Sequence, residues 1–204
     1  MKSRIIGLTG PTVAGKSEAA QALAEHGCIV VDADAAARLA TAEPGCQQEL
    51  MQAFGADIRR DDGTIDRKLL ARRAFASPEA TERLNAITHP HILERMRIEA
   101  QRALAQGARA VVLDAPLLLE CRLDRECDAI LVVTAPPEVR LRRICARDEL
   151  SEADGRQRMH IQHADEYYTS HADRVFENNG DDPAQLRAEV SAWLREYLRR
   201  EEQA

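Results

Sequence analysis

Aromatic residues are scarce in this chain, 3% of 204 positions, so a core has to be assembled from Ala, Leu, Ile and Val. The five cysteines, Cys28, Cys46, Cys121, Cys127 and Cys145, are odd in number and include no C-x-x-C pair. That pattern argues against a disulfide framework and a zinc knuckle, and it fits a reducing cytoplasm. No apolar run approaches the length needed to cross a bilayer, and the first apolar residues give way to a polar loop within a few positions, so neither a membrane span nor a signal peptide is expected. An excess of positive charge is also missing. The formal net charge is -6, which argues against a general nucleic-acid binder. His26, His89, His160, His163 and His171 are scattered without the pairing of metal ligands, and most read as surface residues. There is no internal repeat and no low-complexity linker.

What remains is a soluble, globular composition, 45% hydrophobic and 30% charged, long enough for one α/β unit with insertions. Apolar runs rich in β-branched residues fall at 4–8, 28–31, 110–113 and 129–133, with a weaker one at Val175-Phe176, and helix-favouring segments lie between them. This alternation predicts an α/β fold with a parallel sheet of about five strands and helices on its faces. The stretch 35–107 has helical periodicity and no convincing strand, with turn signals at Glu43-Pro44-Gly45 and Asp61-Asp62-Gly63 and a helix start at Ser77-Pro78. It reads as a helical insertion. Residues 137–172, opened by Pro136-Pro137, are dense in arginine and histidine. The core is thus expected at 1–34, 108–136 and 173–204.

The first motif lies in "IIGLTGPTVAGKSEAAQAL", residues 5–23. A short apolar strand runs into Gly10, and Gly15-Lys16-Ser17 follow after four residues, which is the phosphate-cradling G-x-x-x-x-G-K-[ST] spacing between strand and helix. Successive backbone N–H groups and the positive end of the following helix suit phosphate oxygens. Lys16 adds a cation for the terminal phosphates, and the Ser17 hydroxyl suits magnesium. In "CIVVDADAAARL" a strand ends at Asp32, and Asp34 sits at the start of a helix. On an extended strand end the two carboxylates point to one side, where either can take a hydroxyl proton or position magnesium. Helix capping by Asp34 is the structural alternative. "RAVVLDAPLLLE" ends a hydrophobic strand in Asp114, the layout of a metal- or substrate-facing acid. In "PPEVRLRRICARDELSEADGRQRMHIQH", Arg140, Arg143 and Arg147 recur at helical spacing, so that guanidinium groups can fork onto phosphate oxygens. Arg140 and Arg142 read rather as a solvated helix face. His89-Pro90, in "LNAITHPHIL", reads as a helix boundary.

Taken together, the residues resemble the dephospho-CoA kinase family. The matching pieces are "IGLTG....GKS", "VVDAD..AR", "LNAITHP.I", "VVLDAPLLLE", "ILVVTAPPEVRLRRICARD" and "ADRVFENNG", in the family's order and over nearly the whole chain. The resemblance implies a P-loop NTPase fold, three-layer α/β/α, with a helical substrate-binding insertion at 35–107 and a helical lid at 137–172. It implies phosphorylation of the ribose 3'-hydroxyl of dephospho-CoA by ATP with Mg2+. A cytoplasmic monomer, or a weak oligomer, with no nucleic-acid or membrane partner is expected. Val13, Ala14, Gly15, Lys16, Ser17 and Glu18 would contact ATP, with Ser17 on the metal, and Arg143 and Arg147 would face the nucleotide from the lid. Asp34 would be the general base, with Lys16 and Arg147 as the other catalytic groups. His89, Pro90, Asp114 and Leu117, with Asp34, would line the dephospho-CoA side.

The family's loop usually reads GGIGSGKS followed by Thr. Here Pro11, Thr12, Val13 and Ala14 fill the loop and Glu18 follows Ser17. Pro11 removes a backbone donor, and Glu18 sets a carboxylate in the first helical turn, near phosphate. Other readings are a kinase for a different small metabolite or nucleoside monophosphate, a nucleotide-binding regulatory protein, or an inactive homologue. An N-K-x-D guanine-recognition segment is lacking, which weakens the regulatory reading.

Overall fold

The computed structural model describes residues 4–180 and 182–202; residues 1–3 and 203–204, parts of the expected core, lie outside the described residues. Five strands form one sheet: β1 (Ile5–Thr9), β2 (Ile29–Asp32), β3 (Val111–Asp114), β4 (Ala129–Thr134) and β5 (Arg174–Glu177), in the order β2-β3-β1-β4-β5. β1 pairs in parallel with β3 and β4, and β4 with β5. β2 lies outside β3, where the Ile29 N–H donates to the Ala110 carbonyl at 3.1 Å. Leu8 is level with Asp114 on one side and Leu131 on the other, so these strands end at a common edge. β1 is central, with the chain order reversing on either side of it, and the loop leaving β1 therefore emerges at the switch point where open α/β sheets bind ligands.

The strand runs are apolar without alternation because both faces of the sheet are covered. Ile6 and Leu8 pack with Ala19, Ala22 and Leu23 of α1 (Lys16–Glu25) and with Leu186, Val190 and Leu194 of α9 (Pro183–Glu202). Those positions recur at helical spacing and give each helix one apolar stripe. Gly7 faces the opposite way. A Cβ there would meet the Leu118 side chain at 2.7 Å and Cys127 and Ile130 at 3.0 Å. α1 ends where Gly27 takes φ 87° and the Cys28 N–H reaches back to the Leu23 carbonyl, a closure that favours glycine.

By its internal contacts the chain divides into two compact units, one comprising the residues up to Val31 and from Ala100 onward, the other Asp32–Glu99. The first unit also carries α6 (Pro137–Asp148), α7 (Glu152–His160) and α8 (Asp165–Thr169). Ser151 caps α7, accepting from the Asp154 N–H at 3.2 Å. Gly155 packs tightly on α6, since a Cβ would lie 2.6 Å from the Cys145 sulfur.

In the second unit, α2 (Ala33–Ala40), α3 (Pro44–Phe54), α4 (Arg67–Ala74) and the first part of α5 (Pro78–Ala105) enclose a small core of Cys46, Leu50, Phe54, Ile58, Ile65 and Leu70. Two expectations are corrected here. Glu43-Pro44-Gly45 is not a turn but the start of α3, with proline at the first helical position, where its missing N–H costs nothing. His89-Pro90 is not a helix boundary: Pro90 lies inside the 28-residue α5. The proline forfeits one helical hydrogen bond, yet the helix continues because Leu84 and Ile87 before it pack on the core and Met96 after it is buried.

Candidate active site

The loop after β1 takes its shape from three unusual backbone positions. Gly10 has φ 142°, and a Cβ would sit 2.2 Å from the Val133 carbonyl oxygen, so only glycine lets β1 turn out beside β4. Val13 has φ 57°, a left-handed conformation that disfavours a β-branched side chain. Gly15 has φ 112° and would collide with the Asn178 side chain at 2.3 Å if it carried a Cβ.

Asn178, buried just beyond β5, donates from Nδ2 to the Ala14 carbonyl at 2.8 Å, and its own N–H donates to Thr134. Arg143 on α6 donates to the Val13 carbonyl at 3.3 Å and to Asn178 Oδ1 at 3.4 Å, and also to the Gly180 carbonyl. The loop carbonyls are thereby tied on one side. In a trans peptide the N–H points opposite to the preceding C=O, so fixing the Ala14 carbonyl aims the Gly15 N–H away from Asn178. Ala14 N–H is taken by the Pro11 carbonyl and Glu18 N–H by Gly15. Among the described residues, no protein acceptor takes the N–H of Val13, Gly15 or Ser17. Those donors, with the positive end of α1 and Lys16 at its first position, form an anion cradle.

One further tie crosses from the arginine-rich segment. The Thr12 N–H donates to Oε1 of Gln162, in the link between α7 and α8, at 3.0 Å. Sequence reasoning assigned no role to Gln162 or Asn178. Asn178 lay within "ADRVFENNG", but nothing in its spacing marks it as a brace for a loop 164 residues away.

Arg140, Arg143 and Arg147 lie on α6 but meet different environments. Arg140 is not a solvated residue as expected: it is buried, with its Nη2 3.2 Å from Asp165 on α8. Arg142 is exposed. Arg147 is exposed near the end of the helix and forks onto Asp148 at 2.8 and 2.9 Å, while Arg158 of α7 reaches the same carboxylate at 2.9 Å. The Arg147 hydrogen bond holds the Asp148 carboxyl below its ordinary range. Asp114 ends β3 half-buried, level with Leu8 of β1, and Leu117 is exposed in the following turn.

In the second unit the two acids divide the work otherwise than expected. β2 ends at Asp32 and Asp34 lies in the first turn of a helix, as expected; the capping is what differs. The cap of α2 is Asp32, whose Oδ1 accepts from the N–H groups of Asp34 and Ala35 at 2.6 and 2.9 Å. Asp34 stands exposed in the first turn, and among the described residues its carboxylate has no hydrogen-bond partner. His89 is half-buried, and burial lowers its pKa, favouring the neutral ring; Pro90 beside it is exposed.

Comparison with known proteins gives consistent matches. A family model described as dephospho-CoA kinase matches residues 4–183. The dephospho-CoA kinase of Corynebacterium glutamicum is 45% identical over 197 residues, covering 96% of this chain and 98% of its own. That of Deinococcus radiodurans is 44% identical over 193 residues, covering 95% and 92%. A Thermus thermophilus crystal structure superposes with a TM-score of 0.77 at 34% identity, covering 96% of this chain and 98% of that one. Dephospho-CoA kinase from Campylobacter jejuni, at 24% identity and a TM-score of 0.75 over 97% of this chain and 98% of its own, shares the fold.

Proposed function

The chain belongs to the dephospho-CoA kinase family, and from that premise we propose the part that each residue plays in phosphorylating dephospho-CoA. The reaction is ATP-dependent phosphorylation of dephospho-CoA, a step of coenzyme A biosynthesis. The acceptor atom is the ribose 3'-hydroxyl. Its oxygen attacks the γ-phosphorus of ATP, the bond to the bridging oxygen breaks, and ADP leaves. The hydroxyl proton passes to the Asp34 carboxylate. Because such transition states gather charge on the migrating group and the leaving oxygen, positioning and electrostatics do most of the work.

Val13, Gly15 and Ser17 offer N–H groups to the phosphates, and Lys16 follows the charge onto the β–γ bridge. Ala14 shapes the loop through its carbonyl, with Arg143 and Asn178 as braces. Arg147, presented near the end of α6 by Asp148, serves the nucleotide phosphates as the lid closes and excludes water. Asp114, Leu117, His89 and Pro90 serve the dephospho-CoA side. Among the described residues no group of three or more His, Cys, Asp or Glu could hold a metal ion. A magnesium ion accompanying ATP would find hard oxygen donors, the kind this cation prefers, in the Ser17 hydroxyl and Asp114. The chemistry it would supply there is positive charge to offset that of the phosphates. We place the protein in the cytoplasm, as a monomer or a weak oligomer.

The observation that carries the assignment of the base is the division between the acids. Asp32 is occupied as a cap, and among the described residues the Asp34 carboxylate has no hydrogen-bond partner. The test is to incubate the purified chain with Mg-ATP and separately with dephospho-CoA, AMP, CMP or shikimate, and to follow ADP release and the phosphorylated product. Turnover with dephospho-CoA, and loss of it in Asp34→Asn with ATP binding kept, is expected. Turnover with another acceptor and none with dephospho-CoA would overturn the reading.

A further inference from the structure

Glu18 is the third residue of α1, and Gly15 is the N-cap. A glutamate at that position has two natural attractions. It can fold back to accept the N–H of the N-cap residue, as in a capping box, and it is drawn to the positive end of the helix. Both are the features that a phosphate-binding loop offers its ligand. An unrestrained Glu18 would therefore be a rival, built into the chain, for the Gly15 N–H and for the site that the phosphates need.

The carboxylate is not there. Its Oε2 lies 3.6 Å from Nη1 of Arg187 on α9. The other terminal nitrogen of Arg187 pairs with Glu25. Glu18 and Glu25 are two helical turns apart and lie on the same face of α1, the face that packs along α9, so one guanidinium gathers both carboxylates. The Gly15 N–H meanwhile has no acceptor among the described residues. Arg187 donates to Glu25 and forms an ion pair with Glu18 from within α9, next in sequence to buried Leu186, so the diversion comes from a packed helix and not from a loop.

We propose that Arg187 is a positioning residue for nucleotide binding, which holds the first-turn carboxylate of Glu18 off the Gly15 N–H and away from the phosphates of ATP. The inference rests on the reading of the loop as an ATP site. It accounts for a loop that keeps Gly15, Lys16 and Ser17 while carrying an acid directly after them: the acid is matched by a cation from the last helix. Arg187 acts through Glu18, and so its removal should matter only while Glu18 is present.

The experiment is a double-mutant cycle in the full chain, comparing wild type, Arg187→Gln, Glu18→Ala and the double variant. The readouts are KM for ATP, kcat, and melting temperature with and without ATP. Arg187→Gln is expected to raise KM for ATP about fivefold and shrink the ATP-induced rise in melting temperature, with kcat held within about twofold. The melting temperature without nucleotide should change little, because a half-exposed ion pair at 3.6 Å contributes little to stability. The double variant should return KM to within about twofold of wild type. A double variant as weak as Arg187→Gln would mean that Arg187 serves ATP itself, and an unchanged KM in Arg187→Gln would mean a surface pair without function; either overturns the proposal. The ATP-induced melting shift needs no acceptor, so it decides the inference even if the chain fails to turn over dephospho-CoA.

Discussion

Asn178 and Ala14 are joined by a 2.8 Å hydrogen bond from the side-chain nitrogen to the backbone carbonyl, across 164 residues of sequence. The bond ties the end of β5 to the phosphate loop, and Gly15 passes so close that any side chain there would strike the same amide. Asn178→Leu should leave the Ala14 carbonyl with only the long 3.5 Å bond from Arg143 and cost about 1 kcal/mol or more. Urea unfolding would measure that loss, and KM for ATP should rise with it. Equal stability and KM would show that the brace is dispensable.

Lys16→Ala removes the cation proposed to follow charge onto the leaving oxygen. A fall in kcat of about a hundredfold or more is expected, read by ADP release at saturating ATP. The fold should persist, because Lys16 opens α1 and does not cap it. A fall of only severalfold would mean that the loop does not work as described.

Asp32 and Asp34 should separate by their signatures. Asp32→Ala deletes the cap of α2 and should cost about 1 kcal/mol of stability, visible as a lower urea midpoint. Asp34→Asn should leave the midpoint in place and abolish most turnover while ATP still raises the melting temperature. If Asp34→Asn turns over at the wild-type rate, Asp34 is not the base.

Val13 sits at φ 57°, where a β-branched residue is strained by about 1–2 kcal/mol. Glycine removes that strain but adds about 0.5–1 kcal/mol of unfolded-state entropy. Val13→Gly should therefore raise stability slightly, by up to about 1 kcal/mol. A clear loss on thermal unfolding would show that Val13 packing outweighs its backbone strain.

Stability should fall toward high pH. Burial pushes the thiols of Cys28 and Cys46 up to about 11 and that of Cys127 up to about 12, with nearby carboxylates adding to the last two. Between the ordinary thiol range and these values the folded chain holds protons that the unfolded chain releases, so stability declines above about pH 9. His89 acts on the acid side: burial lowers its pKa, so stability declines as pH falls through about 6.5. Urea midpoints across pH 5.5 to 10.5 would trace both slopes, and a flat profile would contradict them. Iodoacetamide should label these three cysteines slowly at pH 8.5 until urea is added.

The strands, their parallel sheet and the glycine loop between β1 and α1 are legible in the sequence. Continuous apolar runs such as 129–133 have few alternatives to a buried parallel strand, and G-x-x-x-x-G-K-S between strand and helix fixes local backbone chemistry without reference to distant residues. Local propensity misled where tertiary packing supplied the compensation. Pro90 reads as a helix end, yet α5 runs through it because Leu84, Ile87 and Met96 are buried around it. Arg140 reads as solvated, yet Asp165 allows it to be buried. Spacing could not distinguish the roles of Asp32 and Asp34, since the cap depends on where β2 stops and α2 begins. Only the tertiary structure decided that Asn178, Gln162 and Arg187 reach the loop region. Those contacts span 150 residues or more for the first two and join α9 to α1 for the third, and no local periodicity encodes a hydrogen bond between segments that only the folded sheet and its covering helices bring together.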